Sequence, residues 1–99
     1  MTKLKYLVMI DDNFHFMDES ERYSSGNYTT YEEAVEKCKQ IVDEFLEDAI
    51  NPEDSAGSLY TCWLMYGENP FIIGETVGDF SSTDYTKLRC EKLTGTILN

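Results

Sequence analysis

Thr30-Tyr31-Glu32-Glu33-Ala34-Val35-Glu36-Lys37-Cys38-Lys39-Gln40-Ile41-Val42-Asp43-Glu44-Phe45-Leu46-Glu47-Asp48-Ala49-Ile50 is the stretch that decides how this chain folds. Ala34, Val35, Cys38, Ile41, Val42, Phe45, Leu46, Ala49 and Ile50 recur at three- and four-residue spacings, which gathers them on one side of a long amphipathic helix. Thr30 and Glu33 form a capping box, in which hydroxyl and carboxylate satisfy backbone N–H groups that the first turn leaves without partners. Asn51-Pro52 ends the helix, because proline disfavours helical geometry in the residue before it. Such a helix needs an apolar surface to lie on. The stripe predicts Ile41, Val42, Phe45 and Leu46 buried against a sheet.

The flanking sequence supplies that sheet. From Lys3 to Ile10, the residues Leu4, Tyr6, Val8 and Ile10 share one face of an extended strand, while Leu7 and Met9 make the other face partly apolar. This is the pattern of a central strand covered on both sides. Glu21 to Tyr28 reads as a returning strand, weakened by Ser24, Ser25 and Gly26 and therefore nearer an edge. Beyond the helix, Ser55 to Tyr66 reads as a second helix with Leu59, Cys62, Trp63 and Tyr66 on one side and Gly67 ending it in a left-handed turn. Pro70 to Ile73 reads as a short buried strand. Ser81 with Asp84 is a further capping pattern, with Phe80 and Tyr85 as a hydrophobic staple, and starts a third helix over Ser82 to Leu93 that Gly95 ends.

The predicted order is ββααβα: one α+β domain over residues 1–99, with a three-stranded, mostly antiparallel sheet and three helices. The long helix crosses one face of the sheet, and the later helices close the remaining apolar surface. At 99 residues, 41% apolar and 13% aromatic, the chain has enough core to fold without disulfide or metal support.

Nineteen acidic against eight basic residues leave a formal charge of -11. That balance repels phosphates, so it argues against direct binding to nucleic acid or an anionic membrane and favours a basic partner. Cys38, Cys62 and Cys90 are odd in number and fit neither a disulfide framework nor a zinc pattern, which points to a reducing cytoplasm. No signal peptide is recognisable at Met1-Thr2-Lys3-Leu4-Lys5. No apolar run approaches the roughly 20 residues of a membrane span.

Between the first two strands, Asp11-Asp12-Asn13-Phe14-His15-Phe16-Met17-Asp18-Glu19 alternates acids with aromatics where a plain connection would carry Gly, Ser or Pro, which marks a candidate binding loop. Its carboxylates offer hard oxygen ligands, but the spacing is wrong for a calcium loop. Starting at Asp11 puts Phe16 where the turn glycine belongs and Arg22 where the bidentate glutamate belongs. His15, the sole histidine, could act as a base beside Asp12 or Asp18, yet no nucleophile elbow or phosphate loop accompanies it. Phe14 and Phe16 either tuck beneath the loop or stand out as anchors within an acidic rim.

The long helix turns acidic toward its end through Asp43, Glu44, Glu47 and Asp48. Carboxylates there face the negative end of the helix dipole. Asp43 with Glu47, and Glu44 with Asp48, are like-charge pairs four residues apart, each destabilising by about a few tenths of a kcal/mol. An avoidable penalty of this kind points toward a basic partner.

Several blocks together resemble a family of short, uncharacterised bacterial proteins: Asp11-Asp12-Asn13-Phe14-His15 with Asp18-Glu19 and Arg22-Tyr23, then Cys38-x-x-Ile41-Val42-Asp43-Glu44-Phe45-Leu46. Tyr66-Gly67-Glu68-Asn69-Pro70-Phe71-Ile72 and Phe80-Ser81-x-x-Asp84-Tyr85 with Arg89-Cys90 continue the likeness. The resemblance implies one intact domain of bacterial or phage origin. It assigns no activity and no catalytic or binding residue.

These features predict a small, acidic, non-enzymatic interaction module of the cytoplasm, without a cofactor. It would bind a basic protein surface through Asp11, Asp12, Phe14, His15, Phe16, Asp18, Glu19 and the helix carboxylates Asp43, Glu44, Glu47 and Asp48. Two alternatives come from other classes. In the first, a phage-type inhibitor imitates DNA, since helix carboxylates four residues apart repeat every 6 Å or so, like a row of phosphates. The second is a small metal-dependent hydrolase centred on Asp11, Asp12 and His15.

Overall fold

The computed structural model describes residues 5–12, 23–74 and 78–98. The elements run β1(Tyr6–Asp12), β2(Tyr23–Tyr28), α1(Tyr31–Ala49), α2(Ala56–Tyr66), β3(Glu68–Gly74) and α3(Ser82–Thr94). This is the α+β order ββααβα. The sheet runs β2-β1-β3 with both pairings antiparallel, so the strand with apolar residues on both faces is the central one. β2, an edge strand, carries an irregularity opposite Val8/Met9. Gly26 there has φ +125°, a conformation open to glycine at little steric cost.

The capping box of α1 is formed. Thr30 Oγ1 accepts from the Glu33 N–H and Glu33 Oε1 accepts from the Thr30 N–H, both at 3.2 Å. The apolar stripe does not serve one surface along its whole length. Ala34, Cys38 and Ile41 pack on Tyr6, Val8 and Ile10 of β1. Val42 and Leu46 instead join Ala56, Leu59, Trp63 and Cys90 in a second cluster. Of the four residues predicted to lie buried against the sheet, Ile41 does so and Val42 and Leu46 are buried among helices. Phe45 is only half-buried, packed against the outside of the second cluster.

The later helices also pack differently from the expectation. α2 and α3 pack on each other and around the C-terminal half of α1 instead of covering the second face of the sheet. There Leu7, Met9 and Phe71 remain half-buried and Ile73 is 52% exposed. The buried side of α2 is Ala56, Leu59 and Trp63, while Cys62 is half-buried and Tyr66 exposed, since the helix turns its indole, the largest side chain, to the cluster.

Two glycines end helices for different reasons. Gly95 follows α3 at φ +72° and its N–H donates to the Glu91 carbonyl at 2.9 Å, the left-handed stop that its position predicts. Gly67 has φ -82°, so it is not a left-handed cap. A Cβ on Gly67 would lie 2.4 Å from Trp63 Cδ1 and 2.7 Å from the Trp63 carbonyl oxygen, so the requirement is for space.

The three cysteines form no disulfide; Cys38 and Cys90 are buried and Cys62 partly so. Burial pushes both the Cys38 and the Cys90 thiol up to about 11, which leaves them poor nucleophiles.

Candidate functional site

β1 extends two residues beyond Ile10, the end expected from the sequence, because Asp11 pairs with Asn69 and Asp12 with Glu68 of β3. Alternation along the strand sends Asp12 to the face that carries Val8 and Ile10, and Asp11 to the opposite face. The two carboxylates therefore diverge and do not form a chelating pair. Asp12 and Glu68, directly opposed across two strands, are a like-charge pair of the kind that destabilises a sheet.

That pair stands beside a cleft of about 480 Å³, between the end of the sheet and the C-terminal half of α1. Ile10, Ile41, Phe45 and Ala49 give it an apolar lining, and Glu44, Asp48, Glu68, Tyr23 and Ser25 complete it. Each element has a local reason to be there. Glu68 starts β3 straight after Gly67, and its carbonyl accepts the Trp63 Nε1–H at 3.1 Å, which ties the strand start to the second core cluster. Tyr23 starts β2 and donates its hydroxyl to the Glu68 carboxylate. Glu44 and Asp48 are one turn apart on the exposed side of α1, and Gln40 Nε2 donates to Glu44 Oε1 at 3.0 Å. No basic residue lies in the last turn of α1, so the negative end of the helix dipole adds to these carboxylates.

Burial first, then the charge of Asp12, pushes the Glu68 carboxyl above its ordinary value. A raised folded-state value means that the native chain binds this proton more tightly than the unfolded chain. Stability is therefore lost as pH rises from the ordinary glutamate range through the raised value. Glu68→Gln is expected to raise the Tm at neutral pH and to change it little below about pH 4, where the carboxyl is protonated in both states. Thermal unfolding at the two pH values checks this; an equal shift at both would exclude the carboxylate charge as the cause.

The acidic end of α1 divides into two sets. Asp43 turns toward α3, where it accepts from Arg89 Nε at 2.9 Å and from the Tyr85 hydroxyl at 2.9 and 3.0 Å. Burial, reinforced by the Asp43 carboxylate, pushes the Tyr85 phenol up to about 12, so it stays a donor. Glu47 lies 4.0 Å from Arg89 Nη2. Asp43 and Glu47 thus have a cation within the fold, and the dipole penalty read from the sequence is partly offset there. Glu44 and Asp48 are the two that face the cleft.

Phe14, His15, Phe16, Asp18 and Glu19 lie outside the described residues, as does the question whether the two phenylalanines are anchors. Among the described residues there is no group of three or more His, Cys, Asp or Glu side chains able to hold a metal ion, and no helix is long and apolar enough to cross a membrane. Tyr23 and Glu68 are cleft residues that sequence reasoning did not single out, and Phe45, expected in the core, lines the cleft. Glu68 falls between the expected helix end at Gly67 and the strand expected from Pro70, and only the β1–β3 register places it against Asp12.

No protein-family model matches the chain, and comparisons with curated proteins and with solved structures likewise give no match.

Proposed function

We propose that this protein is a small acidic, non-enzymatic interaction module that docks on a basic protein surface and seats a Lys or Arg side chain of its partner in the cleft. The observation that carries this reading is the set of carboxylates Glu44, Asp48 and Glu68 placed around an apolar lining. Long basic side chains are amphipathic, with an aliphatic stem that suits Ile41, Phe45 and Ala49 and a charged head that suits Glu44, Asp48 and Glu68. A net charge of -11 would steer such a partner from a distance. On the sequence pattern alone, Phe14 and Phe16 stay candidate anchors within an acidic rim. Thiols without disulfides fit a cytoplasmic setting.

The test is an NMR titration with a short Lys/Arg-rich peptide and an acidic peptide of equal length. Amide shifts centred on Glu44, Phe45, Asp48 and Glu68 are expected with the basic peptide alone. Glu44→Gln with Asp48→Asn should weaken binding by about tenfold or more and flatten its salt dependence. Binding that neither the substitutions nor salt alters would overturn the proposal.

A further inference from the structure

Two side chains of the cleft are joined to each other. Tyr23 at the start of β2 donates its hydroxyl to the Glu68 carboxylate at the start of β3, although β1 lies between the two strands. Register explains how they meet. Tyr23 is paired with Ile10 and Glu68 with Asp12, and residues directly opposed in a sheet point to the same face, so both side chains stand on the face that α1 covers and at the same end of it. Tyr23 is 46% exposed and Glu68 half-buried. The cleft therefore presents an accessible aromatic ring whose edge is fixed against a carboxylate. One hydroxyl leaves that carboxylate with acceptor sites to spare. On the other side of the cleft, Glu44 and Asp48 lie one turn apart on α1, and Gln40 holds the Glu44 carboxylate.

A ring beside a carboxylate suits one basic side chain better than the other. A guanidinium is planar, so it can lie flat on an aromatic face and still send N–H donors sideways, in its own plane, to a carboxylate next to the ring. It has five donors, enough for Glu68 and for a carboxylate of α1 together. An ammonium gathers three donors and its charge on one strongly hydrated atom. It has no plane to stack and more water to lose on entering a cleft lined by Ile10, Ile41, Phe45 and Ala49.

We infer that the cleft takes arginine in preference to lysine and that Tyr23 makes the selection, which rests on the docking reading proposed above. The guanidinium stacks on the Tyr23 ring and donates to Glu68, its remaining donors turn to Glu44 and Asp48, and its methylene stem follows Phe45 and Ala49. Tyr23 acts in two ways. Its ring supplies the stacking surface, and its hydroxyl holds the Glu68 carboxylate in place before the ligand arrives.

The test compares two short peptides of identical sequence except for a single basic residue, arginine in one and lysine in the other, by NMR titration of the full chain at one ionic strength. Shifts at Glu44, Phe45 and Glu68 are expected with both, and the arginine peptide should bind at least about fivefold tighter. Intermolecular nuclear Overhauser effects should join the Tyr23 ring to the arginine δ-methylene protons. Tyr23→Leu should bring the two affinities to within about twofold of each other, whereas Tyr23→Phe, which keeps the ring, should hold a preference of about threefold. The amide spectrum of each variant reports its fold; should Tyr23→Leu unfold, the Overhauser effects decide. Equal affinities in the wild type, a preference that survives Tyr23→Leu, or a bound arginine without contact to Tyr23 overturns the selection and leaves the docking reading standing. Failure of both peptides to shift the cleft amides overturns the two together.

Discussion

Trp63→Ala is expected to lower the free energy of unfolding by about 3 to 5 kcal/mol, the range for removing a buried large aromatic side chain. Trp63 is 1% exposed and packs with Val42, Leu46, Leu59 and Cys90, where α1, α2 and α3 meet. Its ring also stacks on Tyr60 at 5.9 Å. The indole N–H donates to the carbonyl of Glu68, so truncation leaves both a cavity and a weakened tie at the start of β3. Against a total stability of about 5 to 15 kcal/mol for a domain, that loss brings the chain near its unfolding threshold. Urea denaturation followed by far-UV circular dichroism measures it without relying on the removed fluorophore. Trp63→Phe, which keeps most of the packing but not the donor, should lose less than half as much. A loss for Trp63→Ala below about 1 kcal/mol, well under the cavity range, would mean that the second cluster is not a close-packed core.

How much of this was legible before the structure depends on whether the signal was local. The span of α1, its Thr30–Glu33 cap, the Ser81 cap and the Gly95 stop are set by residues within four positions of one another, and all of them appear. The central place of β1 was legible too, because Leu7 and Met9 make its second face apolar. Partition of the α1 stripe was not. Ile41 and Val42 are neighbours in sequence with the same hydropathy, yet one faces a sheet and the other a helix pair; only the direction in which the chain returns decides between them. The cleft failed for the same reason. Glu68 is 56 residues from Asp12, and no spacing rule joins them before register is known. Gly67 shows a third kind of limit, in which the right residue at the right place acts through a steric cause that the sequence does not display.

Arg89→Ala tests whether the acidic end of α1 is held by the fold or left for a partner. The expected cost is about 2 kcal/mol, within the range for losing a hydrogen bond to a charged group. Two features place it above the value for an exposed ion pair. The Arg89 and Asp43 side chains are only 25% and 27% exposed, and Arg89 is the basic group set against both Asp43 and Glu47. Removing it leaves Asp43 half-buried, with the Tyr85 hydroxyl as its remaining donor of this set. Asp43→Asn should cost less, because the amide oxygen still accepts from Tyr85 and the carboxylate charge has gone. In the Arg89→Ala, Asp43→Asn double variant the combined loss should fall short of the sum of the singles, since the second substitution removes the charge that the first leaves uncompensated. Neither change touches Glu44 or Asp48, so the affinity for a basic peptide should move by less than about twofold, roughly 0.4 kcal/mol. Additive losses in the double-mutant cycle, or a large fall in peptide affinity with stability unchanged, would return Asp43 to the binding surface and undo the division of the α1 carboxylates.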